Sequence, residues 1–346
     1  MARVTVLGAG DMGTAMLTPL AVGTHEVRLW ATPHDAAVLE ALRDGEPHPR
    51  LGVRVPSRVA LFGPGEVAAA LDGAEIVLLA VSSAGVRPVM TRIAPHLAQA
   101  QALVILTKGL ERTAGGGAHR LSQVVAGYTK TPVVAVGGPG IAREVALGIP
   151  TVAVFGSASF DALQVCDRAL STPSYYVETT EDIAGVELSA ALKNAYALAF
   201  GMIDGVEQRT GQSHANLRAS LMPVALEELS KLVALSGGDS ITVAGQAGLG
   251  DLQVTASAGR NRLLGERIGA GATGEAAMEE LAAAGITTEG FTVLRVAHDM
   301  AIEVSLDADM VEESFPLLSA LWRVAEDGYE PVASLWEAVR NFRMEL

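Results

Sequence analysis

Lysine is scarce in this chain: of 25 basic residues only Lys108, Lys130, Lys193 and Lys231 are lysines, the rest being arginine. Arginine keeps its proton in a protein, whereas a desolvated lysine can have its pKa moved toward neutrality and then serve as an acid or base. Lys193 is the sharpest case. It lies in Glu187-Leu-Ser-Ala-Ala-Leu-Lys-Asn-Ala-Tyr-Ala-Leu-Ala-Phe200, a helical segment apolar on nearly all sides. An ammonium there is unfavourable unless paired or functional; the plainer reading is a lysine whose stem covers apolar surface while its head reaches water. Lys108 ends the apolar run 103–107, so a parallel sheet would deliver it to the carboxyl edge, where ligands bind. An ordinary solvated strand end is the alternative. Ala247-Gly-Leu-Gly-Asp251 sets a carboxylate after glycines that permit close approach, or else supplies a helix N-cap. Gly259-Arg-Asn-Arg262 offers guanidinium forks and an amide suited to phosphate, or a solvated charged turn.

A second kind of chemistry is carried by Gly8-Ala-Gly-Asp-Met-Gly13, which directly follows the strand-like residues 4–7 and opens a helix. In that context the first glycine permits a tight turn, the second lets a pyrophosphate approach the backbone, and the third lets helix and strand pack closely. NAD or NADP is the cofactor implied. An acid at the end of the second strand would favour NAD, but Trp30-Ala-Thr-Pro-His-Asp35 has no carboxylate before Asp35 and no arginine for a 2′-phosphate. The choice stays open. Asp11, inside the turn, reads equally as a helix cap and as a cofactor contact.

The elements that must position these groups follow from periodicity. Short apolar runs at 4–7, 26–30, 76–81, 103–107, 133–136 and 151–155 alternate with helical segments such as 33–42 and 65–71. Continuous apolar strands separated by helices predict a doubly wound parallel sheet covered on both faces. From about residue 182 strand signals fade and Ala/Leu/Glu-rich helical segments run on, so the composition changes between residues 178 and 186. A chain of 346 residues also exceeds what one core normally serves. We therefore expect two domains, residues 1–182 and 183–346. The polar, glycine-containing segment 207–214 reads as a loop.

Composition narrows the partners. A net charge of −14 and the lack of any Lys/Arg-rich run make nucleic acid an unlikely partner. The single Cys166 allows no internal disulfide and no cysteine metal cage, and the seven histidines form no HExxH-like pair, so no metal is expected. Residues 190–203 are too short an apolar stretch to span a bilayer, and no leader precedes residue 3, which predicts a soluble cytoplasmic protein. Phe315, Leu317, Leu318, Leu321, Trp322 and Trp336 read as core, although a homodimer interface would use similar residues.

Together these motifs resemble the NAD(P)-dependent glycerol-3-phosphate dehydrogenase family. The matching segments are Gly8-Ala-Gly-Asp-Met-Gly13, Thr107-Lys-Gly-Leu-Glu111, Gly138-Pro-Gly-Ile-Ala-Arg-Glu144, Leu192-Lys-Asn194, Asp204-Gly205, Ala247-Gly-Leu-Gly-Asp251, Arg260-Asn-Arg262 and Glu289-Gly290, in the family's order. The resemblance implies a Rossmann-type N-terminal domain and an all-α C-terminal domain like that of 6-phosphogluconate dehydrogenase. It implies hydride transfer between a nicotinamide and sn-glycerol 3-phosphate or dihydroxyacetone phosphate, or a related polyol phosphate, with Lys193 transferring the proton and Lys108 and Asp251 sharing the catalytic site. Gly138, Asn194, Thr255, Arg260 and Asn261 would contact the substrate. Gly8, Gly10, Asp11, Met12, Gly13, Trp30, Ser82, Lys108, Ala142, Arg260 and Glu289 would contact the cofactor.

Departures from the family's pattern concern the substrate. Gly137-Gly-Pro-Gly140 and Gly259 replace hydroxyl-bearing residues, and the segment 205–216 is about four residues longer by comparison. Small-for-polar replacement predicts room for a four- or five-carbon polyol phosphate. The other readings are a dehydrogenase of an unphosphorylated hydroxy acid and, outside enzymes, an NAD(P)-binding regulator.

Overall fold

The computed structural model describes residues 2–113, 117–305 and 309–342. The chain forms two compact units, residues 1–108 with 120–187 and residues 109–119 with 188–346. The division thus falls five residues beyond the expected boundary, inside the helix Ile183–Thr210, and the segment 109–119 joins the second unit.

The first unit is built on eight strands: β1 (Arg3–Leu7), β2 (Glu26–Trp30), β3 (Ala60–Phe62), β4 (Ile76–Leu79), β5 (Ala102–Ile105), β6 (Val133–Gly137), β7 (Thr151–Gly156) and β8 (Tyr175–Thr180). Their order across the sheet is β8-β7-β6-β5-β4-β1-β2-β3. Every pair is parallel except β6 with β7, where Val136 faces Phe155. Apolar residues line both faces: Val4, Val6, Ile76 and Leu78 pack with Leu39, Leu163 and Cys166, while Leu7, Val77, Leu79 and Ile105 pack with Met90, Ile93 and Leu121. Two buried faces are why these strands read as unbroken apolar runs. The order reverses between β1 and β4, and the Gly8–Gly13 turn leaves β1 at that switch point, the place where such sheets bind ligands. Two strands of this sheet are not evident from periodicity. β3 is only three residues long, and β8 alternates buried Tyr175 and Val177 with exposed Tyr176 and Glu178, as an edge strand does.

The second unit is helical, and a short two-stranded ribbon is formed by Leu110–Arg112 and Ala118–Arg120. Leu192, Tyr196, Leu229, Phe291, Phe315, Leu318 and Leu321 meet in its core, whereas Trp336 is exposed. The helix Ile183–Thr210 packs on Arg260–Gly269 with backbones almost touching. A Cβ on Gly201 or Gly205 would overlap the carbonyls of Arg262 or Glu266, and one on Gly265 or Gly269 those of Leu198 or Met202. Residues 207–210, expected in a loop, continue this helix, and the chain leaves it at Gly211, whose φ is +71°. A left-handed glycine, and not local polarity, ends the helix. Pro316 and Pro331 open their helices at the first turn, where no N–H is needed. Among the described residues no helix is long and apolar enough to cross a membrane.

Candidate active site

In the first unit each glycine of the turn has a distinct steric reason. Gly8 sits at φ +106° and a Cβ there would lie 2.5 Å from the carbonyl oxygen of Ala80, at the end of β4. A Cβ on Gly13 would overlap the Gly8 carbonyl, whereas around Gly10 nothing lies within 4 Å. The turn is thus closed where strand and helix meet and open at the one position a pyrophosphate must approach, so its residues fit a dinucleotide.

The two acids near this turn both have partners within the fold. Asp35 turns its Oδ2 inward to accept from the Ala9 N–H (3.1 Å), the Thr32 N–H (2.8 Å) and the Thr32 hydroxyl (2.7 Å), so this oxygen braces the turn. Gly10 and not Asp11 is the cap residue of the helix that Asp11 begins, and Asp11 pairs with Arg50 Nε at 2.8 Å. Trp30, expected beside the cofactor, is fully buried, with Arg92 over its ring at 5.5 Å. Its side chain is core. Met12, half-buried, lines a small cavity with Leu106, Lys108, Gly138, Gly140 and Tyr175. Lys108, just beyond β5, donates from Nζ to the Gly138 carbonyl at 2.6 Å. Ser82 follows β4, and Ala142 begins the helix Ala142–Ala146.

In the second unit Lys193 is 5% exposed on the helix Ile183–Thr210. Its Nζ pairs with Oδ1 of Asp251, itself 2% exposed, and donates to the Thr255 hydroxyl at 2.9 Å. That hydroxyl in turn donates to the Asp251 carbonyl at 2.8 Å, one turn back along the helix Asp251–Ala258. Gly250 and not Asp251 is the cap residue of this helix, which leaves the carboxylate for the lysine. The preceding turn Gln246–Gly250 is a π-helix in which a Cβ on Gly248 would overlap the Val243 carbonyl. In so dry a setting the mutual attraction of the two charges and the Thr255 bond offset the desolvation penalty, and removing either partner would leave a buried unpaired charge.

Around that pair stand the remaining candidates. Asn194 is buried beside Lys193. Buried Asn261 accepts at Oδ1 from the N–H groups of Glu289 (3.1 Å) and Gly290 (2.9 Å), so the phosphate-type amide also anchors the start of the helix Gly290–Ser305. Burial raises the pKa of Glu289, while the charges of Arg260 and Lys193 pull it down. Arg260, Lys193 and Glu289 therefore share one electrostatic neighbourhood, and Arg260 is exposed. Arg262 belongs elsewhere: its Nε reaches Asp204 Oδ2 at 2.5 Å, and Arg218 pairs with the same carboxylate. The Arg-Asn-Arg cluster thus splits into one exposed arginine, one buried amide and one arginine locked in a structural ion pair. Among the described residues no group of three or more His, Cys, Asp or Glu could hold a metal.

The glycines expected to enlarge the pocket divide as well. A Cβ on Gly259 would lie 2.6 Å from the Thr255 carbonyl, so close backbone approach accounts for that glycine. At Gly140 the nearest contact would be Met12 Cε at 3.7 Å, ordinary van der Waals distance, and there a larger side chain would fit.

Comparison with known proteins agrees with this arrangement across the chain. The family model for the N-terminus of NAD-dependent glycerol-3-phosphate dehydrogenase matches residues 3–162, and the model for its C-terminus matches residues 182–335. An NADP(+)-dependent glycerol-3-phosphate dehydrogenase of Archaeoglobus fulgidus is 37% identical, over 96% of this chain and 98% of that protein. A glycerol-3-phosphate dehydrogenase [NAD(P)+] of Anaeromyxobacter sp. (strain K) is 36% identical over 95% of both. The crystal structure of glycerol-3-phosphate dehydrogenase from Coxiella burnetii superimposes with a TM-score of 0.81 at 28% identity, covering 97% of this chain and 98% of that one. On the matched models and the full-length identity, this chain belongs to the glycerol-3-phosphate dehydrogenase family.

Proposed function

We propose that this chain interconverts sn-glycerol 3-phosphate and dihydroxyacetone phosphate with NAD or NADP as the hydride carrier. The observation that carries the reading is Lys193, an amine 5% exposed and held by Asp251 and Thr255 next to Arg260 and Asn261. The bound nicotinamide supplies the hydride for reduction and takes it up for oxidation. As hydride adds to the substrate's carbonyl carbon, the C=O π pair moves onto oxygen, and that alkoxide needs a proton at once. Lys193 Nζ donates it, becoming a neutral amine, and recovers a proton from solvent. Asp251 orients Nζ and balances the ammonium that must exist before each reduction. Thr255 holds the same nitrogen from a second point. Arg260 and the amide nitrogen of Asn261 take the substrate phosphate, with charge-assisted bonds that fix its orientation. Asn194 contacts the substrate next to Lys193, and Lys108 is a cation for substrate or cofactor at the edge of the sheet. A cytoplasmic location accompanies this reading, and a homodimer would use the surface around Trp336.

Longer polyol phosphates and unphosphorylated hydroxy acids are not favoured. The full-length relatives are named for glycerol 3-phosphate, and the Gly259 replacement follows from packing against Thr255. A silent regulator is not favoured either, since a binding module has no use for an ionisable lysine in a dry carboxylate cage. Steady-state kinetics with dihydroxyacetone phosphate, its four- and five-carbon ketose phosphate analogues, and unphosphorylated dihydroxyacetone test the proposal. We expect the highest kcat/KM with dihydroxyacetone phosphate and at least a hundredfold loss without the phosphate, since two or three charge-assisted bonds contribute about 3 kcal/mol or more. Equal rates with and without phosphate would refute it.

A further inference from the structure

The glycine turn contains a charge that works against its own task. Asp11 follows Gly10, the position left open for a pyrophosphate, and its carboxylate would repel any phosphate placed there. The structure answers that charge with Arg50, whose Nε lies 2.8 Å from Asp11 Oδ1 although the two residues are 39 positions apart. The placement of Arg50 is built in from below. His48 is fully buried; its Nδ1 accepts from the N–H groups of Arg50 (3.3 Å) and Leu51 (3.2 Å), which leaves the proton on Nε2 to bond the Ala9 carbonyl at 3.2 Å. The His48 carbonyl and N–H close a further pair of bonds with Gly52 and Val53. One buried imidazole thus ties the loop that carries Arg50 to the turn that carries Asp11.

We propose that Arg50 is a residue of the cofactor site, acting by cancelling the charge of Asp11 so that the glycine turn can accept the phosphates of a dinucleotide; this rests on the dehydrogenase reading above. The pair is charge-neutral when intact and leaves a bare carboxylate when Arg50 is removed. His48 is a positioning residue, since it holds both the loop that carries Arg50 and, through the Ala9 carbonyl, the glycine turn, with its Nε2 4.0 Å from Asp11 Oδ1. The mechanism concerns the pyrophosphate common to both nucleotides, so it acts on NADH and NADPH alike.

The test is direct titration of the full chain with NADH and with NADPH, followed by nucleotide fluorescence, at low and at raised ionic strength. R50A is expected to weaken both nucleotides about tenfold and to the same extent, the size of a partly screened repulsion between one carboxylate and the phosphates. Salt should shrink that deficit, because screening acts on the exposed charge. R50K should retain most of the affinity. D11N should bind both nucleotides more tightly than the wild type, and D11N/R50A should return to within about threefold of it. A double variant as weak as R50A would overturn the proposal, as would a weakened D11N or a loss confined to NADPH, which would make Arg50 a reader of the 2′-phosphate. Wild-type protein that binds neither nucleotide would remove the dehydrogenase reading itself, and this inference with it.

Discussion

At the scale of single residues, charge placement separates an arginine proposed to bind substrate from one that holds the fold. Arg260 and Arg262 are two positions apart, yet the first is exposed and lowers the pKa of Glu289, while the second is tied to Asp204. R260A should therefore raise KM for dihydroxyacetone phosphate about ten- to a hundredfold, the worth of one charge-assisted bond. It should change the turnover of unphosphorylated dihydroxyacetone far less. R262A should leave that KM within a few-fold and lower thermal stability, because it leaves a partly buried Asp204 short of a partner. Steady-state kinetics and thermal melts on both variants distinguish the roles; a KM effect of equal size in R262A would contradict them.

At the scale of elements, buried side chains splice helices that are distant in sequence. Glu228, on the helix Ala215–Leu235, accepts at its two oxygens from the N–H groups of Leu317 (2.5 Å) and Leu318 (2.9 Å), at the start of the helix Pro316–Asp327. Burial pushes its pKa up to about 8 against the pull of those donors. A carboxyl whose folded pKa is raised stabilises fully below its unfolded value near 4.5 and loses that contribution as pH climbs through about 8. Between those values stability should fall by up to about 1.4 kcal/mol per pH unit. Glu187, buried under the Ser122 N–H and also raised, adds to the same trend. Urea denaturation from pH 5 to 9 should show a steeper decline for wild type than for E228Q; equal slopes would contradict the assignment. Such splices are also where the sequence was least legible. The glycine turn could be read because its rules are local, and Lys193 because an amine in an apolar helix is conspicuous by itself. Arg50 and Glu228 gave no signal, since their partners lie 39 and about 90 positions away and nothing near them in the chain announces the contact. Tyr175–Thr180 was missed because an edge strand alternates, unlike the interior strands used as the template.

At the scale of the whole molecule, an acidic protein of net charge −14 is proposed to bind an anion and a dinucleotide. Local arrangement decides this, because at about 0.1 M salt fields beyond roughly 10 Å are screened. Arg260 and Lys193 stand in one such neighbourhood and Arg50 in another. Each unit accordingly carries its own chemistry on its own scaffold: the glycine turn at the switch point of the sheet, and the lysine pair on helices whose glycines bring backbones into contact. The central claim is that Lys193 gives the proton. It is tested most directly by measuring kcat for dihydroxyacetone phosphate reduction in K193A alongside the dissociation constant for NADH or NADPH. The account predicts a kcat lowered by about 10²- to 10⁴-fold with nucleotide affinity within a few-fold of wild type. Turnover that survives the substitution would contradict it.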